Sequence, residues 1–149
     1  GIPISNSPTL VREVDLKGRV LIQRSTAGTQ VAAAVRARNM FAGSLVVARA
    51  TVQACLLRDP DTLTLVASAD HPEDHACASY MDAIARGESP DLERLLEPVR
   101  KTERYRKVQS GEWPGFPPSD LELALQPDVF DFAMPVTRAG GYLRVIASF

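Results

Sequence analysis

No run of apolar residues in this chain is long enough to cross a bilayer, and its first residues show no basic-then-apolar start. A transmembrane segment and a secretory leader are therefore not expected. An excess of charge is missing as well: 17 Lys and Arg stand against 18 Asp and Glu, for a formal net charge of -1. No broad basic field results, so neither nucleic acid nor an anionic membrane is an expected partner. Cysteine is scarce. Cys55 and Cys77 each lie in an apolar helical pattern, and neither belongs to a Cys or His ligand motif. Two buried thiols in a reducing compartment are expected, with a cytoplasmic location, and neither a disulfide nor a zinc site. Absent too are G-x-G-x-x-G and G-x-x-x-x-G-K-S/T, which leaves a nucleotide-binding module without support.

What is present is ordinary for a globular protein. The chain has 149 residues, 45% hydrophobic and 23% charged, enough for one domain with a real core. Its opening, Gly1-Ile2-Pro3-Ile4-Ser5-Asn6-Ser7-Pro8, has no initiator Met and reads like a loop from inside a protein. The expectation is a single α/β domain over residues 1–149, forming the carboxyl part of a longer protein.

Three units repeat a strand-then-helix rhythm. Apolar runs at residues 20–23, 41–47 and 62–67 each precede an amphipathic stretch, carrying Val31 and Val35, then Val52, Cys55 and Leu56, then Ala76, Cys77, Tyr80, Met81 and Ile84. Continuous apolar strands alternating with such helices predict a mainly parallel sheet covered on both faces, a three-layer α/β/α arrangement. Leu92, Leu95, Leu96 and Val99 predict a helix interrupted near Pro98. The basic run at 100–107 reads as a solvated helix face. Ser119-Asp120-Leu121-Glu122 reads as a capping box. Ala133 to Arg138 and Tyr142 to Ala147, joined by Ala139-Gly140-Gly141, predict a C-terminal β-hairpin.

In parallel sheets, ligands bind beyond the carboxyl ends of the strands. Three loops fall there: residues 25–29, the Val47-Ala48-Arg49 region, and residues 68–75. The first runs from a strand into a helix, so backbone N–H groups and the positive end of a helix dipole would face an anion, most commonly phosphate. Ser25, Thr26 and Thr29 add hydroxyl donors, and Gly28 would allow a positive φ and close approach. The third loop packs Asp70, His71, Glu73, Asp74 and His75 together. Its carboxylates suit Mg²⁺, which prefers oxygen ligands and often bridges to phosphate, or general acid–base work, and either His could donate a proton near neutral pH. The same residues also fit plain helix capping, with Asp70 as N-cap, Pro72 in the first turn and Glu73 at N3. Parallel strands would bring the first and third loops to one edge and into one cleft.

The order of these segments resembles the 2-phosphosulfolactate phosphatase family. Asn6-Ser7-Pro8 is similar to that family's Gly-Asn-Ser-Pro segment, and Ser25-Thr26-Ala27-Gly28-Thr29 to its Thr-Thr-Asn-Gly-Thr loop. Gly43-Ser44-Leu45-Val46-Val47-Ala48 resembles its Gly-Ser-aromatic-Val-Asn-Ala stretch. Glu73-Asp74 before Ala76-Cys77-Ala78 resembles its Glu-Asp helix start, and Met134-Pro135-Val136 its closing Val-Pro-Val. The resemblance implies a Mg²⁺-dependent phosphatase that hydrolyses 2-phospho-3-sulfolactate, a step that serves coenzyme M biosynthesis in methanogens. It implies that Thr26, Gly28 and Thr29 meet the phosphate of a small phosphorylated acid, to which the loop reading adds the Ser25 hydroxyl. It also implies that Glu73 and Asp74 serve the metal or the acid–base chemistry as the catalytic pair, and the loop's own carboxylates suggest Asp74 and Asp70 as metal ligands. Ala27 and Val47 stand where the family has Asn. The family also has a front segment of Asp-Val-Leu-Arg-Ala-Thr-Ser-Thr type ahead of the part seen in this sequence. The implied partner is therefore that missing N-terminal segment, and a homo-oligomer is compatible with the sequence. The alternative is a non-catalytic binding or structural relative that kept the fold and lost the chemistry.

Overall fold

The computed structural model describes residues 5–25 and 27–149. Helices carry most of the regular structure. α1 (Pro8–Val11) and α2 (Gly28–Ala34) come first, followed by a two-residue strand, β1 (Phe41–Ala42). A single 3-10 turn, Leu45–Val47, runs straight into α3 (Ala48–Leu56). Then come α4 (Pro72–Ala85), α5 (Leu92–Arg100), α6 (Glu103–Gln109) and α7 (Ser119–Ala124). Two strands, β2 (Met134–Ala139) and β3 (Tyr142–Val145), close the chain. Among the described residues no helix is long and apolar enough to cross a membrane.

The core lies between helices. Leu45 and the α3 residues Ala48 and Val52 pack with Ala76, Tyr80 and Met81 of α4 and with Leu96 and Val99 of α5. Val52 and Leu96 are almost wholly buried, and each such side chain contributes about 1.5–3 kcal/mol. α4 is well delimited by local chemistry. Pro72 fills its first turn, where a missing N–H costs nothing, and Glu73 and Asp74 face the positive end of the dipole. Gly87, at φ 75°, stops it. There Gly87 N–H donates to the Ile84 carbonyl at 3.0 Å and Glu88 N–H to the Ala83 carbonyl at 2.9 Å, the paired bonds of a left-handed helix end.

Three local expectations are corrected. α5 is not interrupted near Pro98 but continues to Arg100, because Leu96 and Val99 on either side of the proline are locked into the core. The capping box at 119–122 does not form. Pro118 is the N-cap of α7, and the Ser119 hydroxyl pairs instead with Thr9 Oγ1 at 2.9 Å. Asp70 is not the N-cap of α4 either; His71 holds that position.

The larger correction concerns the sheet. The described residues form one three-stranded sheet in the order β1-β2-β3, antiparallel throughout. Among the described residues the expected parallel sheet is not formed, and the three-layer arrangement built on it is not seen. Residues 20–23 and 62–67 belong to no helix and join no ladder, and of 41–47 only Phe41–Ala42 pairs, with Pro135 and Met134. Short apolar runs read alike whether they become strands or helix starts, and strand formation depends on what lies alongside. What holds is the coarser statement, helices together with strands, and the terminal hairpin. Val136 pairs with Val145 and Ala139 with Tyr142. Gly140 and Gly141 have φ of 56° and 87°, the double positive φ of the tight two-residue turn that matches strand twist.

Candidate functional site

The first candidate loop is tied to itself. Thr29 N–H donates to Ser25 Oγ at 3.1 Å, and Thr29 Oγ1 donates to the Ser25 carbonyl at 2.9 Å. Ser25 therefore takes one of the free amides at the start of α2, and the Ala27 carbonyl accepts from Gln30 and Val31. Gly28 does not have the positive φ expected of it. A Cβ there would meet Ser25 Oγ at 3.5 Å, an ordinary contact, so neither conformation nor packing demands glycine. Thr26 lies outside the described residues.

The far end of α2 is held by an arginine that no sequence motif marks. Arg138 Nη2, from β2, lies 2.7 Å from the Val35 carbonyl, 2.8 Å from that of Ala33 and 3.3 Å from that of Ala32. A cation on the last carbonyls of a helix opposes its negative end. Arg138→Ala is expected to lower stability by about 1 kcal/mol. Mass-spectrometric hydrogen exchange should then be faster in α2 and unchanged in α4, and Arg138→Lys should restore part of the protection.

The acidic loop is a set of committed carboxylates. Asp74 Oδ2 accepts from Ser68 Oγ at 3.0 Å and from Ala69 N–H at 2.7 Å, fastening the chain ahead of α4 to the helix's first turn. Glu73 accepts from Arg104 Nη1 of α6 at 2.6 Å. Asp70 is fully exposed and sits 2.8 Å from His75 Nε2. Arg104 comes from the basic run read as a solvated face, and that reading missed its bond to Glu73. On the next turn Cys77 is a free thiol pushed up to about 11, by burial first and then by the Asp74 charge. Burial likewise raises the free thiol Cys55.

A third cluster forms where Val47-Ala48-Arg49 begins α3. Asp128, in left-handed backbone at φ 55°, accepts from Arg49 N–H at 2.8 Å and Nε at 3.2 Å, and from Tyr80 OH at 2.9 Å. The start of α3 is thus capped by the protein's own carboxylate. Burial, followed by the hydrogen bond and charge of Asp128, raises Tyr80, and Arg49 opposes the rise. Nothing in the sequence near Asp128 signals this role.

None of these bonds brings 25–29 to 70–74. Among the described residues no group of three or more His, Cys, Asp or Glu side chains gathers as a metal site. Two open grooves, of about 490 Å³ and 330 Å³, run along α4 and are lined by neither loop. The shared sheet edge that was to unite the loops is not formed.

Against this geometry stands a clear kinship. The 2-phosphosulpholactate phosphatase family model matches residues 1–94, and the chain belongs to that family. A Thermoplasma acidophilum protein named probable 2-phosphosulfolactate phosphatase is 32% identical over 126 residues, which cover 83% of this chain and 54% of that protein. A Thermoplasma volcanium protein of the same name is 27% identical over 131 residues, covering 85% of this chain and 58% of its own length. The chain spans about half the length of these curated relatives. No solved structure matches it.

Proposed function

We propose that this chain is part of a phosphoric monoester hydrolase acting on a small phosphorylated acid of the 2-phosphosulfolactate type. One observation carries the reading: the family match, residues 1–94, takes in both the 25–29 and the 70–74 loops and leaves out the C-terminal hairpin. In this reading Ser25, Thr26, Gly28 and Thr29 hold the phosphate. The hydroxyls of Ser25 and Thr29, now bonded to each other's residues, would turn toward its oxygens. Glu73 and Asp74 flank the reacting group.

The donors fit Mg²⁺ in kind, since one or two carboxylates plus substrate oxygens are its usual share of ligands. Asp74 and Asp70 would hold the ion, which when bound would offset charge on the phosphoryl oxygens. Asp74 would keep the loop at 68–69 in place through Oδ2 while facing the ion. Glu73, oriented by Arg104, would accept or return a proton. A cytoplasmic location and a homo-oligomer belong to the same proposal.

The protein as its gene encodes it should release inorganic phosphate from 2-phospho-3-sulfolactate with Mg²⁺ and cease on addition of EDTA. The 149-residue chain alone should release none. A second reading, a non-catalytic relative, is favoured by Ala27 and Val47 in place of Asn and by the pairing of Asp70 with His75. A folded full-length protein that stays silent with Mg²⁺ would select it.

A further inference from the structure

Two stretches have the character of strands and no strand beside them. Residues 20–22 belong to no helix or strand, and Val20, Leu21 and Ile22 are 91%, 60% and 97% exposed. At residues 62–67 burial alternates, with Leu63, Leu65 and Ala67 half-buried and Thr62, Thr64 and Val66 outward. Leu65 packs against the helical core, and Leu63 and Leu65 line the larger groove beside Leu56 and Ala78. One face of that stretch is therefore covered and its edges are open. Exposed apolar strand edges are templates for pairing, and folded proteins ordinarily pair, cover or charge them. Continuous apolar runs such as 20–22 also belong to strands covered on both faces.

We propose that residues 20–22 and 62–66 are open sheet positions completed by strands from the part of the family's length that this chain does not span. The relatives supply the reason for that occupant: nearly half of each lies outside the region matched here. A segment with period-two apolar residues and free backbone N–H and C=O groups would add to these edges by strand addition. Its side chains would cover Val20, Ile22 and Val66. The inference rests on family membership, not on the phosphatase reading.

Hydrogen exchange read by mass spectrometry tests it. The 149-residue chain is compared with the same chain fused, ahead of Gly1, to the portion of the Thermoplasma acidophilum relative that the match leaves uncovered. In the chain alone, peptides over 19–24 and 62–67 should exchange at the earliest time point at every protein concentration. In the fusion both should slow by about tenfold or more, while the β2–β3 peptides stay as they were. Ile22→Lys in the fusion should return only 19–24 to fast exchange. Should that variant disturb β2–β3 as well, Val66→Lys, read at 62–67, takes its place. Unchanged exchange in the fusion overturns the proposal. So does protection in the chain alone: rising with concentration, it would assign the edges to a second copy.

Discussion

Asp74→Asn is expected to lower turnover of the full-length protein on 2-phospho-3-sulfolactate by about 100- to 1,000-fold, the usual scale for removing one preorganised charge-stabilising group. Asn keeps a carbonyl oxygen where Oδ2 accepts from Ser68 Oγ and Ala69 N–H, so the clamp at the start of α4 survives. Its melting temperature should move little. Asp74→Ala removes charge and clamp together and should also destabilise by about 1–3 kcal/mol, with two donors left unpaired. Phosphate release alongside thermal unfolding separates the roles. A clamp alone predicts that Asp74→Asn retains activity within about twofold and that only Asp74→Ala unfolds early.

The largest loss of stability is expected at Asp120, which no functional motif contains. Asp120 is 5% exposed. Its Oδ1 accepts from Ser7 Oγ at 2.8 Å and Thr9 N–H at 2.9 Å, while Ser7 Oγ itself caps α1 through Leu10 N–H at 3.2 Å. Asp120→Ala leaves the wholly buried Ser7 and the Thr9 amide without their acceptor and should cost about 2–4 kcal/mol in denaturant melts. Burial is the strongest single influence on this carboxyl and pushes it up. The hydrogen bonds from Thr9 and Ser7 together outweigh burial and hold it below the usual carboxylate range. A folded value below the unfolded one makes its stabilisation complete above about pH 4 and lost as pH falls through the folded value. Asp120→Asn should therefore narrow its stability deficit against the parent protein on acidification. A deficit that stays constant from neutral to acid pH would contradict the ionised role.

Elements fixed by local chemistry were legible in the sequence. Pro72 with two following acids marks a helix start, Gly87 marks its end, and Gly140-Gly141 between apolar runs marks the hairpin. The sheet was not legible, because a run such as 20–23 specifies strand character but not a neighbour. Gly43-Ser44 breaks the 41–47 run, Leu45 turns into the helical core instead, and Val47 is buried in the same 3-10 turn. At the proposed site, Ser25, Gly28, Thr29, Glu73 and Asp74 are candidates by residue type alone. The long-range bonds around the loops were not legible. Arg104, Arg138 and Asp128 act across 31, 103–106 and 48–79 residues of chain, and no spacing rule reaches that far.

Titrating the full-length protein with inorganic phosphate in the presence of Mg²⁺, while following backbone amide resonances, tests whether the two loops serve one ligand. The amides of residues 25–29 and of 68–74 should shift along a single saturation curve with one dissociation constant, and withdrawing Mg²⁺ should weaken both together. Movement of one loop without the other, or two curves with separate constants, would contradict a shared phosphate site.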